Sequence, residues 1–296
     1  MAAGTRLEYE KRVNRAIDHV RAHLGEPLTL AGLARVAAFS PFHFHRIFRA
    51  LTGETLSAYV QRQRVERAAG LLAASPRTSI LDVALDHGFA SAATFARAFR
   101  ARFGMSATQW RRGGADRWRA QNRKLGKASR SRRRHTPVMA PELRTLPDQR
   151  VAYMRHVGPY GTGGIPALWS RLRDWMAARD LSLAATVRLG VSYDDAGITA
   201  PARCAYDACV VVPADFAADA RVTLGKIAGG RYALAPFRGT ALEIEDAWQR
   251  VFADWLPASG FQPDDRPSIE IYRGGPRSGG APGSFQCELA LPLRPL

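Results

Sequence analysis

One segment of this chain is written twice. LTLAGLARVAAFSPFHFHRIFRALTG (residues 28–53) parallels TSILDVALDHGFASAATFARAFRARFG (residues 78–104). Ser40 matches Ser91, Phe44 matches Phe95, Arg46 matches Arg97, Phe48 matches Phe99 and Gly53 matches Gly104, at a constant offset of 51 residues. In the first copy Thr29 caps a short helix through Leu33 and Val36. Ser40 then offers an N-cap oxygen, and Pro41 takes the first helical position, where its missing N–H costs nothing. Along this second helix Phe44, Ile47, Phe48 and Leu51 recur at i, i+3, i+4, i+7 as a buried stripe that Gly53 ends. Tyr9 to Leu24 predicts an amphipathic helix ahead of the repeat, and Leu56 to Ala73 a long helix joining the copies, roughly 27 Å at 1.5 Å per residue. Ser79 with Asp82, and Ser106 with Gln109, have the spacing of capping boxes.

Two short helices with a tight turn, the second carrying basic and hydrogen-bonding residues outside its buried stripe, make a helix-turn-helix. Those outer residues are Phe42, His43, His45, Arg46 and Arg49 in the first copy, and Ala92, Ala93, Ala96, Arg97 and Arg100 in the second. His43 and His45 stand about 200° apart around a helix, so they cannot share a metal as an i, i+4 pair does. A core role for Phe42, and simple solvation for Arg46 and Arg97, are the plain alternatives. The repetition of arginine at the same place in both copies weighs against the latter. Charge points the same way. Residues 1–135 hold 26 Lys/Arg against 9 Asp/Glu, residues 136–296 hold 17 of each, and the whole net charge of +17 therefore lies in the first half. A cationic module implies a polyanion partner.

With spacing, caps, glycines and the Phe/Arg pattern agreeing in both copies, residues 9–112 resemble the AraC/XylS family of tandem helix-turn-helix regulators. The resemblance implies an all-α unit over 1–112 whose two reading helices enter successive major grooves of double-stranded DNA. It places Phe42, His45 and Arg46, and then Ala92, Ala93, Ala96 and Arg97, at base edges. Alanines stand where family members often carry amides or hydroxyls, so the second helix is expected to rely on Arg97 at guanine and on thymine methyl contacts. The following stretch, Arg111 to Pro137, reads as a mobile basic tether, and 113–139 is taken as a linker.

From Glu142 onward the pattern changes to short β-rich runs: Val151–Val157, Arg188–Tyr193, Cys204–Val212, Tyr232–Phe237, Ser268–Tyr272 and Phe285–Leu291. Amphipathic helices interrupt them at Pro166–Ala178 and about Glu243–Leu256, and RDW (173–175) is echoed by ADW (253–255). This predicts an α+β unit over 140–296 built of two similar halves. YMRHVGPYG, GVSYDD, AYDACVVV, SIEIYR and CELALPL, in that order, resemble the GyrI-like effector-binding domain. The resemblance implies a small-molecule effector, often a lipophilic cation, held in a cleft between the halves by aromatics and a carboxylate. By motif position that carboxylate is Glu270, with Tyr272 one strand period along on the same face. Tyr153, Tyr160, Trp169, Tyr193, Tyr206, Tyr232 and Phe285 are further candidates for the cleft wall, with core packing as the alternative for each. Unliganded, Glu270 is expected to have a raised pKa.

GPYGTGG lacks the lysine of a P-loop and reads as a turn. Three cysteines are an odd count and fit a reducing cytoplasm, no segment has the pattern of a secretory signal or membrane span, and no cofactor or metal motif is evident. The function these features predict is effector-responsive transcription regulation rather than catalysis, with RNA polymerase as a further candidate partner and a monomer as a workable DNA-binding form. A GyrI-like hydrolase fused to a DNA-binding domain, using Glu270 as general base, is the alternative.

Overall fold

The computed structural model describes residues 2–75, 77–125, 141–160, 163–196, 198–241, 243–264, 266–274 and 283–295. The chain forms two units, Met1–Lys127 and Ala128–Leu296.

The first unit is helical: α1 (Ala2–Ala22), α2 (Leu30–Val36), α3 (Pro41–Thr52), α4 (Leu56–Ala74), α5 (Ile80–Asp86), α6 (Ala92–Phe103), α7 (Ala107–Gln109) and α8 (Ala115–Leu125). The serine and threonine caps accept the helix N–H groups their spacing requires, although Ser79, which accepts from Leu81 and Asp82, lacks the reciprocal bond that a capping box with Asp82 would need. Thr29 accepts from the Gly32 N–H, Ser40 from that of His43 and Ser91 from that of Thr94, while Ser106 and Gln109 complete a reciprocal box. Such a cap contributes about 1 kcal/mol. Gly53 (φ 74°) and Gly104 (φ 68°) end α3 and α6 in the left-handed region, where a side chain would be strained.

Both copies bury their aromatic stripe. Phe44 and Phe48 are fully buried, with Phe48 edge-on to Tyr59 at 5.4 Å. In the second copy the stripe continues as Phe95, Phe99, Phe103 and Trp110, ring to ring at 4.4 to 5.7 Å. The Trp110 indole donates to the Ala69 carbonyl of α4 at 2.9 Å. Arg64 of α4 ties the segment after α1 and the second copy to this rod, its guanidinium donating to the carbonyls of Leu24, Glu26 and Gly88, each at 2.8 Å.

The tether expectation needs correction. The chain kinks at Arg112 and Gly113 and then continues as α8, where Trp118 packs edge-on against Phe103 at 5.2 Å and Ala115 is buried. One tryptophan at the end of the Phe/Trp stack anchors a helix that lacks an apolar stripe of its own. The rest of the expected linker, 126–139, lies outside the described residues.

The second unit consists of β1 (Glu142–Leu146), β2 (Gln149–Val157), α9 (Gly164–Ala177), β3 (Arg188–Ser192), β4 (Ala205–Val211), β5 (Thr223–Ile227), β6 (Gly230–Gly239), α10 (Ile244–Arg250, continued by a π-type turn to Trp255), β7 (Phe261–Pro263), β8 (Ser268–Tyr272) and β9 (Phe285–Pro295). The strands form an antiparallel sheet in the order β1-β6-β9-β8-β3-β4-β2-β5, with β7 added to β9. Strands β2, β3 and β4 with α9 repeat as β6, β8 and β9 with α10, and the halves meet where β3 pairs with β8. Each half also lends its first strand to the other: β1 pairs with β6, and β5 with β2.

Both helices cover one face of the sheet, α9 over Ala152, Tyr206, Ala208 and Val210, and α10 over Ala233, Ala235, Leu289 and Leu291. The opposite face buries Val151, Tyr153, Leu189, Val191, Tyr232, Ile269 and Ile271. Leu146 from one edge strand and Ile227 from the other line one cavity of about 160 Å³ on that face, so the sheet curls until its edges approach. The Gly229 N–H donates to the Asp148 carboxylate at 2.8 Å, joining the turns on the two edges.

Candidate functional site

Two surfaces carry chemistry, one in each unit. In the first, the stripe that sinks Phe44 and Phe48 leaves His43, Arg46 and Arg49 exposed on α3, with His45 half-buried. On α6, Phe95, Ala98 and Phe99 are buried while Ala92, Ala93, Ala96, Arg97 and Arg100 are exposed. The side chain of Phe42 lies outside the described residues. Each of α3 and α6 therefore offers an arginine on the side away from its core. The outer surface of α3 adds imidazoles, whereas the exposed positions 92, 93 and 96 at the start of α6 are alanines.

In the second unit the pleat sends Gly190 and Glu270, register partners on β3 and β8, toward the helices at the join between the halves. Glu270 is 7 % exposed. Tyr206 from β4 donates to its Oε2 at 2.7 Å and Tyr272 from β8 donates to the same oxygen at 2.8 Å. The Trp248 indole of α10 lies close enough to the carboxylate to favour its charged form. From α9 the Trp169 Nε1 donates to the Tyr206 hydroxyl at 3.2 Å, and its ring meets Tyr272 at 5.0 Å. Phe285 stacks behind Tyr272 at 5.8 Å. Glycine at 190 is what leaves the space. A Cβ there would stand 2.0 Å from the Tyr206 hydroxyl and 2.6 Å from Glu270 Oε2.

Burial pushes the Glu270 carboxyl above its ordinary range, against the lowering effect of the donors from Tyr206, Tyr272 and Trp248. Burial likewise pushes both phenols up, and the adjacent carboxylate adds to that. The result is one acidic group with neutral hydrogen-bond donors at its oxygens and aromatic faces around it, an arrangement that attracts a cation.

Not every expected wall residue is here. Tyr153, Tyr193 and Tyr232 belong to the other face. Tyr153 and Tyr232 lie in that core, and the Tyr193 hydroxyl donates to Asp207, which points away from the helices because its neighbour Tyr206 points toward them. Tyr160 touches Tyr206 at 6.4 Å, but its hydroxyl donates to the Ala205 carbonyl. Trp248 and Gly190 were not singled out in the sequence. Gly190 lies within GVSYDD, and Trp248 within the helix whose ADW echoes RDW.

Residues 139–294 match the GyrI-like small molecule binding domain, and residues 33–113 match a helix-turn-helix domain. The chain belongs to the GyrI-like family. Its GyrI-like domain is preceded by an AraC-type helix-turn-helix unit. Regulatory protein SoxS of Salmonella typhimurium is 30 % identical over 105 residues, 36 % of this chain and 97 % of SoxS. The uncharacterized HTH-type transcriptional regulator YbfP of Bacillus subtilis is 34 % identical over 99 residues, 33 % of each chain. The right origin-binding protein of Escherichia coli K12 is 37 % identical over 93 residues, 31 % of this chain and 32 % of that one. This chain thus spans about one third of the length of the latter two.

Proposed function

We propose that the protein is a transcription regulator in which α3 and α6 read double-stranded DNA and the Glu270 cleft binds a small lipophilic cation. The observation that carries this reading is the pairing, on one chain, of two repeated helices with exposed arginines and a buried carboxylate among aromatic rings. Arg46 and Arg97 are the base-reading arginines, with Phe42, His43, His45, Arg49, Ala92, Ala93, Ala96 and Arg100 beside them. Selection of bound duplexes from a random pool tests this. Arg46→Ala and Arg97→Ala are each expected to cost about 1–3 kcal/mol and to relax preference at different base pairs, about one helical turn apart. Loss of affinity without any change of preference would reduce both to phosphate contacts.

At the effector site, donors from the protein already satisfy much of Glu270, so the ligand has to supply charge and apolar surface more than N–H groups. That favours quaternary or delocalised cations over ammonium groups. Binding of tetraphenylphosphonium, followed by calorimetry, is expected to fall at least tenfold in Glu270→Gln. In the wild type it is expected to weaken as pH falls through the raised carboxyl pKa, starting above the roughly 4.3 of an ordinary glutamate. Equal affinity in the Gln variant would remove Glu270 from the site, and hydrolytic turnover abolished by it would make the domain a hydrolase.

RNA polymerase is the protein partner in this reading, and α5 supports it. Leu81 and Leu85 are 48 % and 49 % exposed there, beside exposed Asp82 and Asp86, in an otherwise basic unit. One chain supplies both reading helices, so the bound form is a monomer. A cytoplasmic site is part of the same proposal; no helix among the described residues is long and apolar enough to cross a membrane.

A further inference from the structure

We propose that Glu66 is a positioning residue that fixes the spacing at which the two reading helices meet DNA, an inference that rests on the DNA-reading role of α3 and α6. It sits in a chain of alternating charges that crosses α4, from Glu54 ahead of that helix to Arg102 on α6. Glu54, immediately after the glycine that ends α3, accepts from Arg62 Nη2 at 2.7 Å. One helical turn farther on, Arg62 Nη1 donates to Glu66 Oε2 at 3.0 Å. The other Glu66 oxygen accepts from Arg102 near the end of α6, at 2.9 Å from Nε and 2.8 Å from Nη2. One carboxylate thus holds, through one arginine on each side, the C-terminal ends of both reading helices.

The relay is enclosed. Side-chain exposure is 5 % for Glu66, 12 % for Arg62 and 11 % for Glu54, and Arg62 lies 5.1 Å over Tyr59 while Arg102 lies 5.3 Å over Phe103. Enclosed ion pairs are poor sources of net stability, because desolvation cancels much of their attraction. What they supply is direction. The Phe/Trp stacks tolerate small rotations of one helix on another, whereas a carboxylate shared by two guanidinium groups does not. The relay is also absent from the repeat itself: the second-copy counterpart of Glu54 is Met105. It therefore belongs to the joint between the two copies, where spacing is set, and it uses two of only nine acidic residues in the first 135.

The test measures full-length protein on duplexes carrying the two selected base sets at native spacing and with one base pair inserted between them. Wild type is expected to lose at least about tenfold on insertion, the scale of one mismatched position. Glu66→Met is expected to keep its native-spacing affinity within about threefold but to lose less than about threefold on insertion. Arg102→Met, at the more exposed end of the relay, gives the same readout should Glu66→Met not fold. Discrimination in these variants equal to wild type overturns this inference alone. Absence of any sequence-dependent binding by the wild type overturns the DNA-reading role as well.

Discussion

Asp207→Ala is expected to lower the stability of the second unit by about 3–5 kcal/mol, a large part of the roughly 5–15 kcal/mol that holds a domain together. The Asp207 carboxylate is fully buried, and its partner Arg155 is 4 % exposed. They form a two-pronged pair across β2 and β4, Nε to Oδ1 at 2.7 Å and Nη2 to Oδ2 at 2.6 Å. The Tyr193 hydroxyl donates to Oδ2 at 2.9 Å, and the guanidinium lies 5.0 Å and 5.2 Å from the centres of the Tyr153 and Tyr193 rings. Deleting the carboxylate strands a cation between two rings with its main acceptor gone. The double variant Asp207→Ala/Arg155→Met is expected to recover most of the loss, since no charge then stays buried without a counterion. Urea denaturation followed by near-UV circular dichroism measures both. A single variant within about 1 kcal/mol of wild type would show that water reaches the guanidinium and that the pair contributes little.

The chain of the first unit could be read almost residue by residue, because helix caps, stripes and end-glycines act within one or two turns. Ser40 and Ser91 cap the helices they precede, and Phe44 and Phe95 open the buried stripes of their copies. The sequence did not show α8. Its stability comes from Trp118 meeting Phe103, a tertiary contact with no local signature. In the second unit the strands with alternating or apolar runs were visible, while β1, exposed along nearly all its length, and the three-residue β7 have no pattern to read. The hardest feature was the side of the sheet. Alternation in SIEIY puts Glu270 and Tyr272 on one face together, but nothing local says which tyrosines of other strands share it. Register decides that. His156 pairs with Tyr206 and Arg155 with Asp207, and so Tyr206 joins Glu270 while Tyr153 and Tyr193 fall to the other side. Hence the carboxylate and its strand neighbour Tyr272 were legible, and which tyrosines of the other strands join them was not.

Gly190→Ala tests that wall at the place where the two halves meet. In a strand, alanine in place of glycine ordinarily gains a few tenths of a kcal/mol or more from lost freedom in the unfolded chain. Here the added methyl would come within 2.0 Å of the Tyr206 hydroxyl and 2.6 Å of Glu270 Oε2, inside both contact radii. Tyr206 is buried to 3 % exposure under Trp169, so its ring has little room to retreat. The hydrogen bond between Tyr206 and Glu270 must open, which leaves one carboxylate oxygen with fewer donors in a site that water does not reach freely. Two consequences separate this outcome from general unfolding. Affinity for tetraphenylphosphonium is expected to drop at least about tenfold, equivalent to 1.4 kcal/mol, while binding to the selected DNA sequence by the helical unit stays within about twofold of wild type. The double variant Gly190→Ala/Tyr206→Phe, which removes the clashing hydroxyl, is expected to regain part of the cation affinity. Unchanged binding in Gly190→Ala would mean that the ligand does not use the floor of this cleft.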